Sequence, residues 1–171
     1  MRKTFSAVLA VGLLASQVAA AQCVRPADVT ALDVIGLKTN LMVTALTCNA
    51  DSRYNAVVTK YRPELVNQDK ALTGYFSRAH GRQARTRQDD YVTQLANSQS
   101  QAGIKQGSLF CNRNLPTFDE VMALRSGAEL ADYAAAKSVS QPINVSNCGN
   151  TPERAAVTTA FTRRSKPSKR S

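Results

Sequence analysis

The stretch DVTALDVIGLKTNLMVTALTC, residues 28–48, decides the fold. Leu32, Ile35, Met42 and Leu46 recur on one helical face, and Val34, Leu37, Leu41 and Ala45 flank it, so the apolar stripe is wide. Pro26 sits just ahead, where a missing N–H costs nothing, and Asp28 falls in the first turn, where a carboxylate favours the helix dipole. Asn49, Ala50, Asp51 and Ser52 stop this helix and cap the next. A helix over 28–48 has its ends about 30 Å apart at 1.5 Å per residue, which constrains everything attached to it.

Outward from this element the periodicity stays helical. Tyr54, Val58, Tyr61, Leu65, Gln68, Leu72, Tyr75 and Ala79 alternate four and three residues apart, a heptad-like seam with one polar intruder. Pro63 lies inside it and predicts a kink or a break. His80 and Gly81 end it. A third helix is expected from about 82 to about 100, with Tyr91, Leu95 and Ala102 on its weaker apolar side; residues 98–108, rich in Gln, Ser and Gly, have no firm place. A fourth opens at Thr117, where Thr117-x-x-Glu120 matches a capping box, and shows Phe118, Val121, Met122 and Leu124. Ser126-x-x-Glu129 offers a further cap before Leu130 and Tyr133. Residues 141–150 read as loop, and Thr151, Pro152 and Glu153 open a short helix with Val157 and Phe161. No run alternates at period two. The fold class expected is all-α: a small bundle of four main helices, up-down-up-down, with no sheet.

The N-terminus reads as an export signal. Met1, Arg2 and Lys3 open on positive charge, residues 5–15 (FSAVLAVGLLA) are apolar but short for a bilayer span, and Ala19-x-Ala21 is a cleavage signature. Cleavage after Ala21 starts the mature chain at Gln22. Lipid attachment at Cys23 would need a small residue before it, and Gln22 is not one. The chain therefore divides into a leader over 1–21, a helical domain over 22–150, and a short helix with a basic tail over 151–171. With no other long apolar run, the mature chain is expected to lack a transmembrane segment and to be periplasmic or secreted.

Export makes the cysteines legible. Cys23, Cys48, Cys111 and Cys148 are an even set in an oxidising compartment, so two disulfides are expected. The absence of a C-x-x-C pair and a lone, distant His80 argue against zinc. A bridge needs Cα atoms within about 7 Å, so a helix over 28–48 forbids Cys23–Cys48. Helices running up, down, up and down place Cys48 with Cys111 at one end and Cys23 with Cys148 at the other.

The chain offers little catalytic chemistry. Its one histidine, His80, sits at a helix end with no nucleophile indicated beside it. The acid pairs Asp89–Asp90 and Asp119–Glu120 fall near first helical turns, where solvated carboxylates belong. Asn144-Val145-Ser146 matches a glycosylation triplet, a short motif that arises by chance. No glycine-rich phosphate loop and no metal-ligand cluster is present, so neither cofactor nor metal is implied, and enzymatic activity would need residues that converge only in space.

Two basic features stand out. Arg78, His80, Arg82, Arg85 and Arg87 surround the turn between the second and third helices, where cations oppose the dipole of the helix that follows. They form a candidate anion-binding corner, or a solvated surface with Arg85 and Asp89 paired. The tail adds Arg163, Arg164, Lys166, Lys169 and Arg170 with no acid and nothing apolar, a composition that suits an acidic polymer, an anionic lipid surface or no dedicated partner. Specific nucleic-acid recognition does not fit an exported chain. Of the formal net charge of +10, Arg2 and Lys3 leave with the leader, and residues 153–171 hold a net +5, so the body carries only +3. The function expected is binding: an envelope accessory with a protein partner (adaptor, inhibitor, chaperone or immunity-type protein), with polyanion binding as the alternative and an envelope enzyme as the third. N-terminal sequencing of the exported protein should begin at Gln22; a chain retaining Met1, or a lipidated Cys23, contradicts this reading.

Overall fold

The computed structural model describes residues 23–143 and 146–147. Seven helices occupy them: α1 Pro26–Cys48, α2 Asp51–Lys60, α3 Arg62–His80, α4 Ala84–Gln106, α5 Leu109–Asn114, α6 Pro116–Ala123 and α7 Gly127–Lys137. A two-residue strand β1, Cys23–Val24, pairs in parallel with β2, Ser146–Asn147. The class is all-α, although this small ladder corrects the expectation of no pairing at all. Two residues bonded through main-chain groups leave no side-chain periodicity to read.

Helix α1 is the shared wall of two cores. Val34, Leu37, Leu41 and Ala45 pack with Val57, Tyr61, Leu65, Phe118, Val121 and Leu130. On another side Ala31, Leu32 and Ile35 pack with Val24, Leu72, Phe76, Tyr91 and Leu95. By length and composition α1 is apolar enough to cross a membrane, but most of that apolar window is buried inside the protein. A helix apolar nearly all round has to be enclosed, and α3, α4 and α7 enclose it. Leu46, placed on the apolar face by periodicity, is instead 68% exposed, while its neighbours Thr44 and Ala45 and the following Ala50 are buried, so it faces away from the covered side of α1. Asn49 then stops α1 in the left-handed conformation, its N–H bonded to Ala45 O.

The second helix is two helices. Pro63 has no N–H for the carbonyl one turn back, so regular structure lapses at Tyr61 and restarts with Pro63 in the first turn of α3. The lapse aims two side chains across the fold: Lys60 Nζ donates to Met122 O (2.6 Å) and Leu124 O (2.7 Å), and the Tyr61 hydroxyl lies 2.9 Å from Val121 O and 2.8 Å from Leu124 O. These are the end carbonyls of α6, so a cation and a hydroxyl finish that helix. At the far end of α3, Arg78 bonds Asp28 in the first turn of α1, so the two helices run antiparallel.

Helix α4 runs past residue 100, where the polar composition gave no boundary, to Gln106. Tyr91, Leu95, Gln99 and Gly103 form its buried strip at a spacing of four. Gly103 is needed because a Cβ there would meet the Phe110 ring at 3.1 Å, and that contact seats the unforeseen α5. The capping box at Thr117 does not form: α5 leads almost directly into α6 and Thr117 lies buried within it, with no capping hydrogen bond at the helix start. The second box does form, with Glu129 N donating to Ser126 Oγ (3.1 Å) and Arg125 N to Glu129 Oε2 (2.8 Å).

Cys48 and Cys111 are joined, Cα to Cα 5.7 Å, fastening the end of α1 to α5. The proposed Cys23–Cys148 bond, the leader, the helix at 151 and the basic tail lie outside the described residues. The bond from Cys48 to Cys111 spans 63 residues of sequence, and its loss should cost about 2–4 kcal/mol. Urea unfolding of the Cys48→Ala/Cys111→Ala protein measures this; an unchanged midpoint would mean that the bridge adds nothing to stability.

Candidate functional site

The arginine corner comes apart on inspection. Asp28 is buried, and Arg25 clasps it from the same turn (Nε to Oδ2 3.0 Å, Nη2 to Oδ1 3.1 Å) while Arg78 reaches it from α3 (2.5 Å). The Arg25 hydrogen bond, aided by Arg78, holds the Asp28 carboxyl below the usual range against the opposing effect of its burial. Arg78 therefore serves the α1–α3 contact and leaves the corner. His80 is exposed and stacks on Phe76, ring centroids 5.7 Å apart. Arg82 lies on a single 3-10 turn, Gly81–Gln83, that leads into α4. Arg85 and Arg87 follow in the first turn of α4, which no side chain caps, and all three are exposed. Among the described residues Arg85 forms no ion pair with Asp89. The two residues lie where a cation opposes the helix dipole, and both reach water instead of each other.

The acid pairs are likewise separate. Asp89 and Asp90 are exposed, and Asp119 pairs with Arg53 of α2. Glu120 accepts from the Tyr133 hydroxyl and from Lys137 Nζ (3.0 Å), which hold its carboxyl below the ordinary range. Among the described residues no group of His, Cys, Asp and Glu gathers a metal-binding set.

A concavity with partly polar walls arises elsewhere. A groove of about 270 Å³ opens between α1, α4, α5 and the segment leaving α7. Asn40 enters from α1, Ser98, Gln99 and Gln106 from α4, and Phe110 and Asn114 from α5; Lys137, Val139 and Ser140 close it. Four primary amides and two hydroxyls converge there. Lys137 is committed to Glu120 and lies 5.3 Å from the centre of the Tyr133 ring, so the groove presents little net charge.

Gln99 is the notable member. Its Nε2 donates to Gly36 O at 3.2 Å, which fixes the orientation of the amide because that carbonyl can only accept. Its Oε1, in a residue only 5% exposed, has no hydrogen-bond partner among the described residues. An unpaired buried carbonyl costs on the order of 1–3 kcal/mol; the buried Thr44 hydroxyl of α1 likewise has no partner among the described residues. Next to this bond, the Gln141 amide lies close over Gly36, where a Cβ would meet its Nε2 at 2.7 Å. Gln141 in turn donates to Leu32 O (3.0 Å) and accepts from the Tyr91 hydroxyl (2.7 Å). Burial, reinforced by the charge of Asp33, pushes the Tyr91 hydroxyl far above its ordinary pKa, so it remains a donor at any physiological pH.

Sequence reasoning missed this groove. Its signal was the spacing of four that links Gln99 and Gly103 to Tyr91 and Leu95, hidden in a stretch whose composition resembles loop. No model of a protein family, no curated protein and no solved structure matches the chain.

Asp28 supplies the pH dependence of this scaffold. Its folded-state pKa is depressed, so its stabilisation is present above the unfolded value, about 4, and is lost as pH falls through the folded one. Asp28→Asn should destabilise the protein by about 1–2 kcal/mol at neutral pH, less than a fully buried pair because both guanidiniums reach water. The deficit should shrink below pH 4 in unfolding titrations, and a constant deficit would overturn the assignment.

Proposed function

We propose that this is an exported accessory protein that acts by binding a partner protein, with the amide-lined groove as its recognition site. The observation that carries this is a groove of about 270 Å³ in which Asn40, Gln99, Gln106 and Asn114 and two serines meet Ala102, Phe110, Val139 and Lys137. Small polar-lined concavities of this kind suit recognition through a few placed hydrogen bonds. Export after cleavage at Ala21 is supported by the Cys48–Cys111 bond, since disulfides persist in oxidising compartments. The pairing of Cys23 with Ser146, which precedes Cys148 by two residues in the sequence, supports a second bridge between Cys23 and Cys148. The contacts of α1 with α3, α4 and α7 support an up-down-up-down path for the four longer runs.

A second reading, polyanion binding, is favoured by Arg82, Arg85 and Arg87 standing exposed beside an uncapped helix start. It would recruit the tail residues 163–171, and its contacts would weaken steeply with salt.

A photo-crosslinking residue at Ser98, on the groove rim, and another at Arg85, on the corner, separate the two in the exported protein. Crosslinks to a protein from position 98 but not 85 are expected. Crosslinking only from 85, or retention on heparin that disappears on deleting 163–171 with no product from 98, would replace the first reading with the second.

A further inference from the structure

Resting on the groove as the recognition site, we propose that residues 138–143 are a strap that gates it, latched by the side-chain amide of Gln141. The segment leaves α7 at Ser138, a non-glycine residue in the left-handed conformation (φ 48°), so the chain turns at one residue and comes to lie against α1. Val139 and Ser140 form one wall of the groove, and Gln141 sits over Gly36. The far end is moored where Ile143 packs against the second core and Ser146–Asn147 pairs with Cys23–Val24. Among the described residues, Gln141 makes the only hydrogen bonds from 139–143: its Nε2 donates to Leu32 O (3.0 Å) and its Oε1 accepts from the Tyr91 hydroxyl (2.7 Å).

The strap is more weakly held than the ground it covers. None of residues 138–143 is buried, whereas Leu32, Gly36 and Tyr91 beneath it are. A segment with no buried side chain and few hydrogen bonds opens locally while the helices under it stay folded. At a factor of about five for each hydrogen bond, the two bonds of Gln141 favour the closed strap roughly twentyfold. What opening adds is length. Asn40, Gly36 and Leu32 follow at a spacing of four along α1, and Gln99, Leu95 and Tyr91 do so along α4, so the seam that holds the groove continues beneath the strap. With the strap down the groove has about 270 Å³. That is below the roughly 300–1,000 Å³ of an ordinary small-ligand site and small beside the roughly 800 Å² that a stable protein partner covers. Lifting Val139 and Ser140 removes a wall and joins the groove to the seam at Gly36. The partner therefore binds the open form, and its apparent affinity follows the fraction of molecules whose strap is up.

Gly36 supplies both an opened and a locked form. A Cβ there would meet Gln141 Nε2, the end of a flexible side chain, at 2.7 Å, so Gly36→Ala displaces the latch while alanine remains the better helix former. The same Cβ would lie 3.6 Å from Val139 Cβ. That is within the separation of about 3.5–4.5 Å that a disulfide takes, so Gly36→Cys/Val139→Cys locks the strap down. Both are made in the full exported chain carrying the photo-crosslinking residue at Ser98, with Gln141→Ala as a second unlatched form. Circular dichroism checks the helices and peptide mapping the new bridge. The side-chain amide NMR signals of Gln141 should move in Gly36→Ala to those of an unbonded glutamine. Crosslinked product from position 98 should rise about fivefold or more in the two unlatched forms and fall about tenfold in the locked one. Gln141 signals that stay in place, failure of the two introduced thiols to bond, or equal product from unlatched, native and locked protein would overturn the gate. If crosslinks from position 98 persist in that event, the groove still recognises a protein but without a gate; if no form gives product from 98, the groove reading falls and the gate with it.

Discussion

Everything in this protein is arranged around the need to cover α1. Its 23 residues are apolar on nearly every side, and a helix of that character is stable in water only when neighbours remove it from solvent. Two cores meet on it, one with α2, α3, α6 and α7, the other with the end of α3 and the middle of α4. Helices that are amphipathic on their own account supply the cover. The burial of Asp28 follows from this, since the first turn of α1 is enclosed like the rest and its carboxylate is tolerated only because two guanidiniums reach it.

The same constraint creates the groove. Where α4 crosses α1, both helices place a small or amide-bearing residue at the contact: Gly36 on one and Gln99 on the other. Gly36 bares its carbonyl, Gln99 bonds it, and Gln141 uses the carbonyl one turn earlier. Helix carbonyls already bonded along the helix retain a second lone pair, and the two glutamines use it. Apolar side chains would have closed this seam. Polar ones leave space between helices, and Gln99 Oε1, like Thr44 Oγ1 further along α1, has no partner among the described residues. Stability alone offers no reason for that choice, because an amide with one unpaired end is worse than a well-packed Leu or Met.

Much of the scaffold was legible from residue order. The wide stripe over 28–48 and the four-three seam over 54–79 are helical because their apolar periodicity admits no other reading, and Pro63 forces an interruption because it cannot donate. Ser126 caps α7 as its pattern implies. Where the reading failed, local and tertiary terms competed. Thr117 matches a cap by pattern, yet packing between α5 and α6 draws it into a helix. Leu46 follows the stripe but points away from the buried side on which Ala45 and Ala50 lie. The cluster of cations at 78–87 looked like one site because sequence neighbours were read as spatial neighbours, whereas Arg78 turns toward Asp28, fifty residues away.

By itself, then, the amino-acid sequence determined the helical class, the position of the main break and the impossibility of joining Cys23 to Cys48. These are local properties: periodicity, a missing N–H, and a fixed rise per residue that separates the ends of α1 by more than any disulfide can span. The tertiary structure alone decided which polar residues meet. Asn40, Gln99, Gln106 and Asn114 come from three helices, and nothing in their spacing along the chain brings them together. Only the packing of α4 and α5 against α1 brings these four scattered amides to one groove and leaves Gln99 Oε1 buried without a partner among the described residues.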